Sequence, residues 1–146
     1  MENMACPLPT TPDQSEEAVM GRLLDCKRIA VVGASDNPMR PGHYVPEYLI
    51  GHGYDVVPVN PNHEEVFGRR CYRTLADIPG EIDLVNVFRR PNACADVTRD
   101  AIAKGAKGVW LQSGITNEDA KALAQQAKID FIQDRCIMVE HRRHRR

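Results

Sequence analysis

The sequence predicts a doubly wound α/β domain, and three observations carry that prediction. Short continuous apolar runs, Arg28–Val32 the clearest, alternate with segments whose apolar residues recur at helical spacing. Most runs end on small, polar or basic residues, as strands of a parallel sheet do where they open onto helices. At 146 residues and 42% hydrophobic content, the chain holds material for one packed core, and two domains would be crowded.

Taken in order, residues 1–12 hold three prolines, no basic start and no long apolar run, the pattern of a flexible leader and not of a signal peptide. Asp13 or Ser15 then caps a helix whose apolar face is Val19, Met20, Leu23 and Leu24, with Glu16 in the first turn, where the dipole favours an acid. Arg28–Val32 running into Gly33 is the first strand, apolar enough to be buried on both faces. A helix is expected over 44–52, with Pro46 in its first turn and Gly51 or Gly53 as its stop. The second strand, Asp55–Val59, contains Pro58, which would remove a ladder bond from a central strand unless pairing stops at Val57.

A third strand over 82–88 leads to Pro91 and Asn92, which begin a helix running to Lys104 and stopped by Gly105. Gly108–Leu111 is the fourth strand. Thr116 or Asn117 caps a helix with Ala120, Leu123, Ala124 and Ala127 on one face, and 129–132 is the last strand. The closing HRRHRR, residues 141–146, is expected to fray as a basic tail, leaving a single domain over 13–140. Strands and helices alternating in this way imply right-handed crossovers and helices on both faces, a Rossmann-like five-stranded parallel sheet. Strand order 3-2-1-4-5 is the preferred arrangement and the flavodoxin-like 2-1-3-4-5 the alternative.

Composition removes several classes of function. Nineteen basic against twenty acidic residues give a net charge of −1, so no global field draws the chain to nucleic acid or a membrane. Five cysteines without a CxxC pair argue against both a disulfide framework and a zinc knuckle, and fit reduced thiols in the cytoplasm. Cys136, His141 and His144 follow no standard zinc spacing, so no metal is expected.

The chemistry is expected at the carboxyl ends of the strands. The first end reads Gly33-Ala34-Ser35-Asp36-Asn37-Pro38-Met39-Arg40-Pro41-Gly42, a small-residue loop entering a helix, where free N–H groups and the helix dipole favour an anion such as a diphosphate. It has neither the GxGxxG fingerprint nor the GK[ST] of a P-loop, so a tight turn at Gly33, satisfied by Ser35 or Asn37, explains it equally well. The second end, Val59-Asn60-Pro61-Asn62-His63, lacks the acid that an NAD site sets against the ribose, since Glu64 and Glu65 come later. Asn60 and His63 better suit an adenosine with an extra phosphate, whereas the prolines read as a rigid turn.

At the third end, Phe88 with Arg89 and Arg90 offers an aromatic face and two guanidinium groups. The fourth end offers Gln112, Ser113 and Gly114, and the fifth Asp134, Arg135 and Cys136. Convergence of these ends weighs more than any one of them.

The stretches IAVVGASDNPMRPGHYV, VVPVNPNHEEVFGRRCY, DLVNVFRRP, GVWLQSGI and DRCIMVEHRR together resemble the CoA-binding protein family, whose fold is shared with the amino-terminal domain of the succinyl-CoA synthetase alpha subunit. The resemblance implies a coenzyme A site. The diphosphate would lie against residues 33–37, adenosine and 3′-phosphate near Arg40, Asn60 and His63, Phe88 and Arg89 beside the same groove, and pantetheine towards Gln112, Ser113, Gly114 and Cys136. The synthetase subunit continues into a second domain with a phosphorylated histidine, and this chain ends at Arg146 before any such domain, which implies a binding module for CoA or acyl-CoA and not a ligase.

Two alternatives stand beside that reading. Cys136, following Arg135, would as a thiolate form a mixed disulfide with CoA or accept an acyl group. An NAD(P)-binding redox module rests on fold analogy alone.

Overall fold

The computed structural model describes residues 14–145; the expected leader and the alternative cap Asp13 lie outside the described residues. Helix α1, Glu16–Leu24, is capped by Ser15, whose side chain accepts the Ala18 N–H, and its two first-turn acids face the positive end of the helix dipole. Strand β1, Arg28–Val32, leads through a loop to α2, Pro41–Gly51, and then to β2, Asp55–Val59. A two-stranded hairpin that the sequence reading did not contain follows, β3 at Glu65–Val66 and β4 at Arg69–Arg70. Its two turn residues, Phe67 and Gly68, both have positive φ, as a tight hairpin turn requires. The remaining elements are β5 (Leu84–Val87), α3 (Cys94–Lys104), β6 (Gly108–Leu111), α4 (Glu118–Ala127), β7 (Asp130–Ile132) and α5 (Ile137–His144).

The five long strands form one parallel sheet in the order β2-β1-β5-β6-β7. Rossmann-like α/β architecture is therefore what the chain adopts, but the expected strand order 3-2-1-4-5 is incorrect. Counting the long strands alone, the order is 2-1-3-4-5, the flavodoxin-like one. Pro58 supplies the physical reason. Its carbonyl accepts the Tyr72 N–H at 3.0 Å on the outer side of β2, away from β1. A strand residue's N–H points the same way as its carbonyl, so the donor that Pro58 lacks would have faced outward, and the β1 ladder loses nothing.

Each face of the sheet is covered. On one, Ile29, Val31, Leu84 and Trp110 pack under α1, α2 and α5 with Met20, Leu23, Leu49 and Ile137; on the other, Val85, Val87, Val109 and Leu111 pack under α3 and α4 with Val97, Ala101 and Ala120. At Gly108 a Cβ would come within 2.4 Å of Leu23 Cδ2, so α1 sits directly on β6 there.

Two expectations about helices are corrected. The helix expected over 44–52 begins at Pro41, which places Pro46 inside it. Residues 141–146 do not form a frayed tail over their described part. His141 to His144 complete α5, with His141 buried against Tyr48 and Tyr54. Arg143 pairs with Glu17, and Arg145 with Asp25, which fastens α5 to α1. Among the described residues, no helix is long and apolar enough to cross a membrane.

Candidate functional site

After β1 the chain turns to one side, to β2, and later returns on the other, to β5. Loops leaving β1 and β5 therefore diverge and open a crevice at the switch point, where open parallel sheets take their ligands. A groove of about 620 Å³ lies there, between the amino-terminal turns of α2 and α5.

Its floor depends on two glycines. Gly33 has φ of 92°, and a Cβ there would lie 2.5 Å from the Phe88 carbonyl oxygen; its N–H donates to Val59 O at 2.9 Å. At Gly42 a Cβ would lie 2.8 Å from Gly33 O. Pro46 completes the arrangement. Lacking an N–H, it leaves the Gly42 carbonyl unused by the helix, and Ser35 N–H donates to that carbonyl at 3.1 Å. The loop is thus folded back on the first turns of α2.

Within the loop, Asn37 N–H donates to Ser35 Oγ at 3.1 Å, Met39 N–H to Asn37 Oδ1 at 3.0 Å and Arg40 N–H to Asn37 O at 3.0 Å. Most of the loop's donors are consumed in this way. Among the described residues, the N–H groups of Ala34, Asp36 and Gly42 stay without a partner. Among the described residues no side chain caps α2, whose Ncap is Arg40, and an exposed Arg40 and a half-buried His63 bring hydrogen-bond donors to the same end. Uncapped N–H groups, a helix amino terminus and an arginine are groups whose chemistry suits an anion.

Of the residues singled out in the sequence, Gly33, Ala34, Ser35, Arg40, Gly42, Asn60, His63, Phe88, Gln112, Ser113 and Cys136 all line this groove. Pro61 and Arg89 line an adjoining hollow of about 400 Å³ that shares Gly33 and Asn60 with it. Asp36, Asn37, Val59 and Gly114 line neither. Asp36 lies 3.7 Å from His63 Nδ1, Asn37 is spent in the turn, Val59 is core, and Gly114 N–H donates to Asp134 Oδ1 at 2.7 Å.

Two lining amides hold the walls in place. Asn60 donates from Nδ2 to Ala34 O at 2.8 Å while its Oδ1 accepts Asn62 N–H at 2.8 Å, tying the β2 loop to the β1 loop. Gln112 is buried, and its Oε1 accepts both Asn86 Nδ2 at 3.2 Å and Ile137 N–H at 3.0 Å, so it holds the first residue of α5. Cys136 is the Ncap of α5 and half-buried. The Arg135 guanidinium, which sequence order sets beside this thiol, pairs instead with Glu16 at 2.8 Å. Burial pushes the Cys26 thiol up to about 11 and raises those of Cys71 and Cys94; none of these three lines the groove.

The groove also has walls that the sequence reading missed: Pro41, Tyr44, Val45, Ile115, Met138 and Val139. Pro41, Tyr44 and Val45 follow the i, i+3, i+4 spacing of one helix face, a signal that starting the helix at Tyr44 hid.

Fold and site together define a Rossmann-like α/β domain, flavodoxin-like in strand order, with a groove at its switch point. Residues 27–142 match the CoA binding domain, and the chain belongs to that family. It is 40% identical over 115 residues to the uncharacterized protein YneT of Bacillus subtilis, which covers 79% of this chain and 85% of that one. Similarity to the ADP-forming acetate–CoA ligase II of Archaeoglobus fulgidus is 30% identity over 106 residues, 70% of this chain but only 16% of the ligase. A hypothetical protein from Pyrococcus horikoshii OT3 superposes with a TM-score of 0.84 at 41% identity, covering 98% of both chains.

Proposed function

We propose that this chain binds coenzyme A or an acyl-CoA in the groove, as a binding module and not a catalyst. One observation carries the reading: at the switch point, Ala34 and Gly42, whose N–H groups are unpartnered among the described residues, line one groove with the uncapped start of α2, Arg40 and His63. The diphosphate belongs against that loop, the 3′-phosphoadenosine with Arg40, His63 and the adjoining hollow of Pro61 and Arg89, and the pantetheine arm along Gln112 and Ser113 towards Cys136. Among the described residues, no aspartate or glutamate lines the groove, which suits a ligand of high negative charge and leaves the ribose of NAD without its usual acidic partner.

A binding role is supported by how the reactive side chains are engaged. Ser35 Oγ accepts an N–H of its own turn, the His43 ring bonds Ser35 O at 2.7 Å, and His63 faces Asp36. No nucleophile of the groove is hydrogen-bonded to a general base among the described residues. Calorimetry with CoA and with 3′-dephospho-CoA tests the reading. CoA is expected to bind more tightly than the dephosphorylated form, and failure of both to bind at millimolar concentration would overturn it.

The position of Cys136 on the groove wall favours one second reading, thiol–disulfide exchange. The Cys136 thiolate would attack CoA disulfide, form a protein–CoA mixed disulfide and release one CoA thiol. Intact mass after incubation with CoA disulfide would then show one CoA adduct, absent in Cys136→Ser; an unmodified wild-type mass removes this reading.

A further inference from the structure

Tyr44, Val45, Met138 and Val139 form a part of the groove that neither the phosphates nor the pantetheine amides of coenzyme A explain. Their mutual position follows from how α2 and α5 pack. One turn further along both helices, Tyr48 Oη lies 2.8 Å from His141 Nδ1, and the Arg142 guanidinium sits 5.1 Å from the centre of the Tyr48 ring. The helices run in parallel, because their first turns line the same groove and Tyr48 lies opposite residues 141 and 142 one turn further on. Stepping back one turn on each sets Tyr44 and Val45 opposite Met138. Cys136, towards which the pantetheine arm points, is the Ncap of the same α5 turn.

This wall is apolar and incompletely covered. The large hydrophobic side chains exposed among the described residues are Met39 at 84%, Tyr44 at 42% and Val139 at 46%. Two of the three line the groove, and Met39 directly precedes Arg40 on its rim. Apolar surface gathered around a cleft marks a place for an apolar ligand group. Charge narrows the choice further. Among the described residues, the only arginine, lysine or histidine residues lining the groove are Arg40 and His63, both at the phosphate end. A carboxylate delivered between Tyr44 and Val139 would lose water and gain no cation. Free CoA would leave the wall wet.

We infer that the space between the first turns of α2 and α5 is a subsite for a neutral apolar acyl chain, so the chain selects acyl-CoA thioesters of that class over free CoA and over thioesters of dicarboxylic acids. This inference rests on the coenzyme A reading and specifies the far end of the same groove.

The test is a calorimetric series on the full chain with CoA, acetyl-CoA, butyryl-CoA, hexanoyl-CoA and succinyl-CoA. Burial of each added methylene is expected to tighten binding roughly two- to fourfold. Succinyl-CoA, of similar length to butyryl-CoA, is expected to bind at least about tenfold more weakly than it. Val139→Asp, at a side chain open to solvent, is expected to erase the chain-length dependence while a thermal melt reports an intact fold. If CoA binds and affinity stays flat from CoA to hexanoyl-CoA, or if succinyl-CoA binds as well as butyryl-CoA, the subsite is overturned and the coenzyme A reading stands. If no member of the series binds at millimolar concentration, both are overturned.

Discussion

Gly33 answers two demands that no other residue meets together. Its φ of 92° is open to glycine, and the space where a Cβ would project holds the Phe88 carbonyl 2.5 Å away. Gly33→Ala is expected to cost about 1–3 kcal/mol from the backbone conformation alone, with the contact to β5's end adding to it. Because the displaced atoms carry Ala34 and Ser35, CoA affinity should fall more than about tenfold, or about 1.4 kcal/mol. Gly51→Ala is the control: nothing lies within 4 Å of a Cβ there, it sits at the end of α2, and the substitution should be neutral to slightly stabilising. Urea denaturation and calorimetry on both variants check the pair, and equal stability of the two would contradict the role given to Gly33. The glycine itself was legible in the sequence as a turn that an anion loop needs. Which N–H groups remain free was not, because that depends on Ser35 reaching the carbonyl that Pro46 releases, eleven residues further along the chain.

Among the elements, α5 supplies one wall of the groove, with Cys136 at its cap and Met138 and Val139 in its first turn. Gln112 holds that turn from the end of β6. Removing its side chain leaves the Ile137 N–H and one Asn86 bond unmet, beside an Asn86 Oδ1 that already has no partner among the described residues. Gln112→Ala is therefore expected to destabilise the protein by about 1–3 kcal/mol, with the loss concentrated in α5. Hydrogen exchange should show the amides of α5 opening faster relative to those of α3; a uniform change across both helices would refute a local brace. The elements themselves were largely legible: every long strand appears where apolar runs placed it, because runs buried on both faces are conspicuous. Strand order was misjudged although Pro58 contained the evidence, since a proline in a strand argues first for an edge and only second for a strand's end. The start of α2 was misjudged because proline tolerance in a first turn was assigned to Pro46 when Pro41 occupies that position.

Across the whole molecule, the carboxyl-terminal helix is bound to the amino-terminal one by charge and to α2 by an aromatic cluster around the buried His141. Arg135, Arg143 and Arg145 pair with Glu16, Glu17 and Asp25, partners more than a hundred residues away, so no local pattern could distinguish this segment from a solvated basic tail. Behind the ion pairs, His141 is buried against Tyr48, His52 and Tyr54, with the Arg142 guanidinium over Tyr48 and Arg145 nearby. Burial, reinforced by the charges of His52 and Arg145, holds the His141 imidazole below its ordinary value of 6.5. The unfolded chain therefore takes up a proton that the folded one resists. Its contribution to stability is complete above the unfolded value of 6.5 and is lost as pH falls through that value towards the lower folded one. Asp83 and Glu17, both held below their ordinary carboxylate values by hydrogen bonds, to the Arg28 N–H and to Arg143 respectively, act in a lower window, below 3.8 and 4.5. Between about pH 8 and about pH 5.5 the melting temperature should consequently fall through histidine, before those carboxylates titrate. His141→Gln, which keeps a partner for Tyr48 and cannot be charged, should flatten that fall. Thermal melts of both proteins across the range decide it: parallel decline would place the proton elsewhere, whereas a flatter variant assigns to His141 the pH-dependent docking of the helix that carries one wall of the groove.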